Sequence, residues 1–393
     1  NRDLEENFDG TNQTAPYSIY NVPVNNIQGQ AEIHWMDNRI MDLIVGLNVD
    51  YKHQAGRGMG NYSYSIMTVG PEPIVDTTVQ TTDQFFTISP YLQVQKDLPV
   101  LKGLGVTIGL RNDNGIAGDN TYSAFSPRVG LVQKFTDWLN LKLLYGAAIR
   151  APGIKEVGLN LETMRNEEGL SLKDIEPEKI HTWEAGLVFP TRLVLSTATY
   201  FHNYTTNELN SISTTAPSGN TVNVFQNGSE RSHSDGFELS VAGRFDFGLN
   251  PFINLSYAKT RLAVPDQDYM EQFADVPSTK LNVGVNYRSP IDLYATVAGK
   301  WIKDFRTNRI YDANGGPAGW QPRPDGFFVL DALVGYDVTE NLGLQFQIRN
   351  LLDSSGNYPK GGRLMASSAE DNRGLQDVPI PPRTFFGTLT LSL

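Results

Sequence analysis

The stretch Leu139-Asn140-Leu141-Lys142-Leu143-Leu144-Tyr145-Gly146-Ala147-Ala148-Ile149-Arg150 decides the fold class of this chain. One parity holds Leu139, Leu141, Leu143, Tyr145, Ala147 and Ile149, and the other holds Asn140, Lys142, Gly146 and Arg150. Successive side chains of a β-strand point to opposite faces, so this pattern predicts a strand with one apolar and one polar face. The stretch is long for a strand of a soluble sandwich, but it suits a tilted strand that crosses a bilayer.

The same alternation recurs along the chain. Apolar residues share one parity in Leu43–Tyr51, Phe237–Phe245, Ile253–Tyr257, Leu281–Tyr287, Leu342–Ile348 and Leu389–Leu393. Counting gives roughly fifteen such segments between residues 28 and 393. Aromatic residues such as Trp35, Trp138 and Tyr336 gather near the segment ends, as the interfacial girdles of a membrane barrel require.

Short and long links alternate between these segments. Short links are predicted within 35–39, 134–138, 189–192, 245–249, 288–291 and 337–341. Long polar links are predicted at Gln54–Asp83, Ala151–Ile180, Asn210–Ser232, Thr307–Asp325 and Asp353–Pro381. Outer-membrane barrels have short periplasmic turns and long extracellular loops, so the alternation favours an antiparallel transmembrane β-barrel. A soluble antiparallel sandwich also alternates, and it is the competing interpretation.

Composition narrows the class of protein. The 393 residues carry a net charge of −11, which argues against a general nucleic-acid binder. No apolar run approaches the roughly 18 residues of a spanning helix, so a helical membrane protein is excluded. The chain has no cysteine, which excludes disulfides and thiolate metal sites.

An odd number of strands has a consequence for the chain as a whole. Bacterial single-chain barrels have even strand numbers, so both ends emerge on one side of the membrane. Here the last strand runs towards the periplasm, while the residues before Gln28 lie on the long-loop side. Residues 1–393 are therefore predicted to be the C-terminal portion of a larger barrel.

Several motifs resemble those of TonB-dependent outer-membrane receptors, and they occur in that family's order. They are Ser126–Leu131 with Tyr145–Pro152, Glu176–Lys179 with Trp183–Leu187, Ser234–Leu239, Val276–Leu281, Arg349–Asp353 and Pro382–Phe386. Each motif alone is a weak signal, whereas the ordered set is specific. The resemblance covers the C-terminal two-thirds or so of that family's barrel.

The resemblance implies a barrel of about 22 strands when complete, with roughly 15 in this chain. It implies an outer-membrane transporter of a Gram-negative bacterium that imports a scarce, bulky nutrient, most simply a ferric siderophore. No plug domain is found in this sequence. The partners implied are the TonB–ExbB–ExbD complex through that plug, outer-membrane lipid, a small-molecule or metal-chelate substrate, and a surface lipoprotein. No catalytic residue, cofactor, resident metal or nucleic acid is predicted.

Candidate substrate contacts lie in the long links, where cationic and aromatic side chains suit an anionic or aromatic chelate. They are Tyr62, Tyr64, Arg165, Arg309, Tyr311, Trp320, Arg323, Tyr358 and Arg363. A second set of cations falls on the polar parity and is expected to face the lumen and an acidic plug surface: Arg128, Arg150 and Arg349. For both sets, loop packing or solvation is the simpler interpretation.

Three other patterns in the sequence are weaker indicators of function. Gly56–Gly60 follows a strand but no helix pattern follows it, so it fails the context test for a dinucleotide loop. Asn112–Gly115 lacks the downstream Glu of a calcium loop and is interpreted as a polar loop tip. The five histidines are scattered without ligand spacing, and none falls between Ala151 and Ile180, where a haem receptor of this family is expected to carry one.

Two functional alternatives remain open. The barrel could be a structural anchor or interaction platform for a cell-surface assembly, which loss of the plug would favour. It could also be an outer-membrane enzyme, which would need a compact cluster of acid, base and nucleophile at the strand ends.

Overall fold

A computed structural model describes 16–18, 24–37, 41–54, 61–63, 84–98, 102–117, 120–228, 231–263, 270–272, 277–303, 309–311, 317–320, 326–355, 357–358, 364–365 and 378–391. Everything said below of the structure concerns these residues. Their dominant feature is one large antiparallel sheet, called the wall.

The wall is built from long strands that follow one another along the chain. They are β1 (Val24–Asp37), β2 (Met41–Gln54), β3 (Gln84–Leu98), β4 (Leu104–Ala117), β5 (Asn120–Thr136), β6 (Leu139–Arg150), β7 (Glu178–Pro190) and β8 (Val194–Thr206). They continue with β9 (His233–Gly243), β10 (Leu249–Ala263), β11 (Thr279–Arg288), β12 (Leu293–Lys303), β13 (Phe327–Thr339), β14 (Leu342–Arg349) and β15 (Thr384–Leu391).

Each strand of the wall pairs with the next, from β1 to β15, and Met270–Gln272 adds a short strand beside β10. This path contains fifteen strands, as the alternation predicts. Among the described residues the path has two edges, β1 and β15, which do not pair with each other. A sandwich would require two stacked sheets, whereas these strands form one continuous sheet.

The two faces of the wall differ as predicted. Large apolar side chains stand exposed on one face: Ile33 is 74% exposed, Phe346 46%, and Leu389 61%. Directly opposed residues of antiparallel strands share a face, so Leu239 lies beside Ala198 and Leu255 on this apolar face. The opposite face carries polar side chains such as Glu32, Lys52 and Arg128. The soluble sandwich would instead bury the apolar face.

Short turns join the strands at one end of the wall, as predicted. Asp137-Trp138 joins β5 to β6, and Glu340-Asn341 joins β13 to β14. One connection at the opposite end is also short, because only residues 118 and 119 separate β4 from β5. The interpretation of Asn112–Gly115 as a loop tip is therefore wrong: these residues continue β4 and pair with β5.

The motif Asn350-Leu351-Leu352-Asp353 forms a tight turn directly after β14. Asn350 and Asp353 have φ angles of 50° and 53°, a region that asparagine and aspartate tolerate better than other side chains. The buried Asn350 amide donates to the carbonyl oxygens of Ser354 and Pro381, at 2.9 and 3.0 Å. The Asn350 side chain therefore caps this turn locally, since its Oδ1 also accepts from the Ser354 N–H, whereas the Asp353 carboxylate accepts from the distant Arg383 N–H.

A helix, α1 (Ile154–Asn166), and several short strand pairs lie at the long-loop end. In the described part of the chain, no helix has the length and apolar character that crossing a membrane demands.

Candidate functional site

The long polar link predicted over Ala151–Ile180 contains a helix, α1, which was not predicted from the sequence. Gly153 precedes the helix, and its N–H donates to the Glu156 carboxylate at 2.5 Å. Arg165 lies in the last turn, where a cation interacts favourably with the helix dipole. The missed signal was a Pro-Gly start followed by Glu at the third helical position, with Val157 and Leu161 one turn apart.

The link after β8 also has its own structure. Leu209–Thr215 and Thr221–Asn227 pair as an antiparallel hairpin, with Gly219 at φ +91° in its turn. A glycine is needed at such an angle because a side chain there is strained. We call α1, residues 167–177 and this hairpin the cap.

The cap has a small apolar core seated on the rim of the wall. Ala117 from the end of β4, Val157 from α1 and Ile175 are each at most 4% exposed. Phe85 of β3 and Phe225 of the hairpin pack against them. The core therefore joins elements that are far apart in sequence, and it holds the cap against β3 and β4.

Asparagine side chains fasten the cap by paired hydrogen bonds to backbone. Asn160 of α1 donates to the Phe225 carbonyl and accepts from the Phe225 N–H, both at 2.7 Å. Asn120 of β5 makes the same pair of bonds to Ile175, both at 3.0 Å. Asn160 and Asn120 are buried, so each pair satisfies polar groups that would otherwise be left without partners.

Arg150 joins the wall to the cap. Its Nε lies 2.5 Å from Glu178 Oε2, and its Nη1 lies 2.8 Å from Glu156 Oε1. Its charge is matched by these two carboxylates, and its predicted contact with an acidic plug surface stays a prediction. Its observed role is to hold the first turn of α1 beside β7.

The polar face of β1–β6 forms a concave pocket of about 1010 Å³. Polar residues that line it include Gln30, Asn48, Lys52, Tyr91, Arg111, Tyr122 and Arg128. Several of its charges are paired within the wall: Lys52 Nζ lies 3.0 Å from Asp50, and Arg111 Nη2 lies 2.7 Å from the buried Asp113. Ser89 also donates to Asp113, at 2.5 Å. The pocket offers ordered cations, hydroxyl groups and amides.

Glycines opposite the large side chains keep this face open. A Cβ at Gly115 would collide with the Tyr122 ring, and one at Gly109 would collide with the Arg128 side chain. The two side chains therefore lie flat over their neighbouring strands. Arg128 donates to Gln93, and its side chain is otherwise exposed to the pocket.

Arg349, the third predicted lumen-facing cation, lies at the other edge of the wall. Its guanidinium carbon sits 4.8 Å from the centre of the Phe386 ring on β15, a cation–π contact. Arg128 on β5 and Arg349 on β14 both occupy the polar face, but they lie far apart along the path.

Several buried oxygen atoms of the polar face make no hydrogen bond within the described part of the chain. They are one side-chain oxygen each of Asp42, Asn48, Asp50 and Asn203. Asp42, Asn48 and Asp50 lie on β2 with the same parity, so they form one stripe along the polar face. Buried acceptors are normally satisfied, so these oxygen atoms mark places where the described part of the wall supplies no donor.

The predicted loop contacts are only partly within the described residues. Tyr62 lies on Asn61–Ser63, which pairs with Pro16–Ser18, and Tyr358 lies on Asn357–Tyr358, which pairs with Val378–Pro379. Arg309 and Trp320 are backbone partners, and the strand Arg309–Tyr311 also pairs with Leu364–Met365. The links after β12 and β14 therefore meet. Tyr64, Arg323 and Arg363, like Gly56–Gly60, lie outside the described residues.

The histidines are less scattered than the sequence indicates. His181, His202 and His233 come from β7, β8 and β9 and gather on the apolar face near the long-loop end; the ring centres of His202 and His233 lie 5.8 Å apart. The signal was present in the parity, because each shares the parity of the outward apolar residues of its strand. Among the described residues, no cluster of histidine and carboxylate groups fits a metal ion.

Comparisons with protein families and with curated proteins identify the same family of receptors. A family model described as "TonB dependent receptor-like, beta-barrel" matches residues 2–351. The catecholate siderophore receptor Fiu of Escherichia coli (strain K12) is 24% identical over 276 residues, which are 67% of this chain and 32% of Fiu. This chain therefore spans about a third of the length of the curated relatives that it matches.

Solved structures extend the likeness to nearly the whole chain. The closed form of Fiu from Escherichia coli K12 is similar at a TM-score of 0.63 and 18% identity, over 94% of this chain and 54% of that one. A ferric enterobactin receptor mutant from Pseudomonas aeruginosa in complex with enterobactin gives 0.67 and 18%, over 95% and 55%. The copper transporter OprC gives 0.67 and 17%, over 94% and 56%. At these identities the likeness shows the fold.

Proposed function

This chain belongs to the TonB-dependent receptor β-barrel family, and from that premise we propose that it forms part of an outer-membrane transporter for a ferric siderophore. The predicted family and the predicted fold class, an antiparallel transmembrane β-barrel, are confirmed. The apolar face of the wall is then the surface in contact with lipid, and the polar face lines the lumen.

The observation that carries the proposal is the polar pocket at the long-loop end of the lumen. Lys52 and Tyr122 line it, and Lys52 is the strand partner of Phe85, which packs against the core of the cap. The link after β12 carries Arg309 and Trp320, which are backbone partners. We infer that these residues and the pocket bind one ligand, because cations and aromatic rings suit a ligand that is both anionic and aromatic.

A ferric catecholate has these properties, because its catechol rings are aromatic and its oxygen atoms carry negative charge around the iron. The relative Fiu is named as a catecholate siderophore receptor. Iron is here the cargo. The outer part of the pocket and the cap would bind the chelate, with Arg165, Arg309, Tyr311, Trp320 and Tyr358 as the loop contacts.

The inner part of the lumen is proposed to face a plug. The half-buried polar side chains of Asp42, Asn48 and Asp50 follow one stripe of β2 on this face and would bond to polar groups of such a domain. Arg128 and Arg349 would meet its acidic groups. The two edges of the wall call for further strands, giving about 22 in a complete barrel. The TonB–ExbB–ExbD complex would drive import by acting on the plug.

Binding of a ferric catecholate tests the proposal. In the full-length protein, titration with ferric enterobactin is expected to quench tryptophan fluorescence. The R309A/W320A variant should bind about tenfold more weakly, since truncating a charged and an aromatic contact costs at least 1.4 kcal/mol. Arg192→Ala provides the control, because Arg192 lies in the short turn after β7.

The same variants should rank identically in growth with the chelate as sole iron source. Loss of growth on deletion of the gene, with rescue by R192A but not by R309A/W320A, is the expected outcome. Unchanged growth on deletion, together with no binding of any ferric chelate, would overturn the transport proposal and favour a structural barrel.

A further inference from the structure

The outer face of the wall carries an unusual polar layer near the long-loop end of β7–β10. The rings of His181 and Tyr204 stack, with centres 4.6 Å apart. His202 and His233 continue the layer across β8 and β9, and Tyr145 bonds to His181 at 3.1 Å. These residues occupy the positions that hold apolar side chains further down the same strands.

Fixed positive charge surrounds this layer. Arg231 lies over the Tyr204 ring, 5.6 Å from its centre. Lys259 and Arg261 of β10 are the direct partners of Asp235 and His233, so they share the outer face. Lys179 lies two residues before His181 on β7 and has the same parity.

The balance of charge on this face is strongly positive. Among the described outward-facing residues of β7–β10, Asp235 is the one carboxylate. Its Oδ1 lies 2.5 Å from Nδ1 of His202. Yet the chain as a whole has a net charge of −11. A concentration of cations on the lipid-facing wall of an acidic protein calls for an anionic partner on that side.

With increasing distance from the cations, the outward side chains of the wall change from aromatic to aliphatic. Trp183, Tyr200 and Phe237 are 53%, 54% and 45% exposed, and Leu187 and Leu239 follow further from the rim. Aromatic rings of this kind lie at the level of lipid headgroups, and aliphatic side chains contact acyl chains. The vertical order is cation, aromatic ring, aliphatic side chain.

We propose that this surface, the outer-wall patch of Lys179, Arg231, Lys259, Arg261 and the histidine–tyrosine layer, binds a phosphorylated glycolipid of the outer leaflet. The phosphate groups would contact the cations, because arginine and lysine bind phosphate by charge-assisted hydrogen bonds. The acyl chains would lie on the aliphatic wall beneath. The inference rests on the outer-membrane placement proposed above, since that placement puts the long-loop end in the leaflet that faces outwards.

Native mass spectrometry of the full-length protein released from nanodiscs tests this inference. The probe is bis-phosphorylated lipid A in phosphatidylcholine. The wild-type protein should retain lipid A, and the K259Q/R261Q variant should retain about tenfold less, as expected for the loss of two interfacial cations. Lys280→Gln is the matched control, because Lys280 lies on the polar face of the neighbouring strand β11.

Three results would overturn the inference: equal retention by K259Q/R261Q and wild type, equal retention of dephosphorylated lipid A, or displacement by millimolar inorganic phosphate. Retention of a co-purified protein instead of lipid would also count against it. Binding of ferric enterobactin by K259Q/R261Q should match that of wild type. A failure of the lipid site therefore leaves the transport proposal intact, and the reverse also holds.

Discussion

The wall and the cap use the same amino acids in opposite ways. In the wall the large apolar side chains point outwards, so that Leu239 remains 37% exposed in the folded chain. In the cap they point inwards, and Val157 is 3% exposed. The difference follows from the solvent: the wall satisfies its backbone by strand pairing and presents apolar groups to lipid, whereas the cap must remove them from water.

The two regions also differ in how their elements are joined. Neighbouring strands of the wall are consecutive in sequence and need only a regular ladder of backbone bonds. The cap joins residues such as Asn160 and Phe225, which lie 65 positions apart, through side-chain bonds to backbone. Single side chains should therefore matter more for the order of the cap than for the pairing of the wall.

The largest effect is expected from a charge on the lipid face. Leu239→Arg should destabilise the protein in lipid vesicles by about 2–4 kcal/mol if the residue lies near the bilayer centre. Its neighbour Ser240 faces the lumen and bonds to Asn254, so Ser240→Arg should cost far less. Urea unfolding of both variants in vesicles measures the difference. Equal unfolding midpoints would contradict the assignment of the two faces.

A smaller effect is expected from truncation in the core of the cap. Val157→Ala removes buried methyl groups and should lower the local stability of the cap by about 2 kcal/mol, since each buried CH₂ contributes about 0.8 kcal/mol. Hydrogen exchange should accelerate in 154–178 and 209–227 and stay unchanged in β9–β15. Ile291→Ala, in an exposed turn of the wall, is the control. Acceleration throughout the wall would show that the cap is not a separate unit.

The paired hydrogen bonds from asparagine side chains to backbone should contribute somewhat less to the stability of the cap. Asn160→Ala leaves the N–H and C=O of Phe225 without their partners, which should cost about 1–2 kcal/mol. The expected result is faster proteolysis of the hairpin with unchanged unfolding of the wall. Asn166→Ala, at the exposed end of α1, serves as the comparison. Identical cleavage rates for the two variants would assign the attachment of the hairpin to its apolar contacts alone.

The smallest effect concerns pH. Hydrogen bonds from Ser218 and Asn220 hold the pKa of Glu167 below its ordinary value. A depressed pKa in the folded state means that this contact stabilises the cap above the pKa of the unfolded chain, and that the contribution is lost as the pH falls through the folded pKa. The protection factors of the amides within 216–220, which correct for the slower intrinsic exchange at lower pH, should therefore fall on acidification in wild type. In Glu167→Gln they should stay constant over the same pH change, and a parallel fall would point to another group.

The fold was readable from sequence because alternation is a local signal. The alternation within Leu139–Arg150 and within Leu342–Arg349 predicts a lipid face and a lumen face for each strand from that strand's residues alone. The ordered motifs then identified the family. The polar run Asn112–Gly115 misled because strands β4 and β5 extend to the rim, where outward positions carry polar side chains such as Asn112 and Asn114.

The candidate site was less readable. Arg128 was found by its parity on β5, but its place in the pocket depends on the neighbouring strands as well. The use of Arg150 in an ion pair with Glu156 and Glu178 depends on α1 turning back over the rim. The clustering of His181, His202 and His233 depends on the register of β7, β8 and β9.

The sequence by itself determined the strands, their two faces and the family, because each strand chooses its faces through a period of two residues. Only the tertiary structure decided which side chains meet across strands and loops. Register, helix placement and the packing of the cap depend on contacts between residues far apart in the chain, and no local pattern encodes those distances.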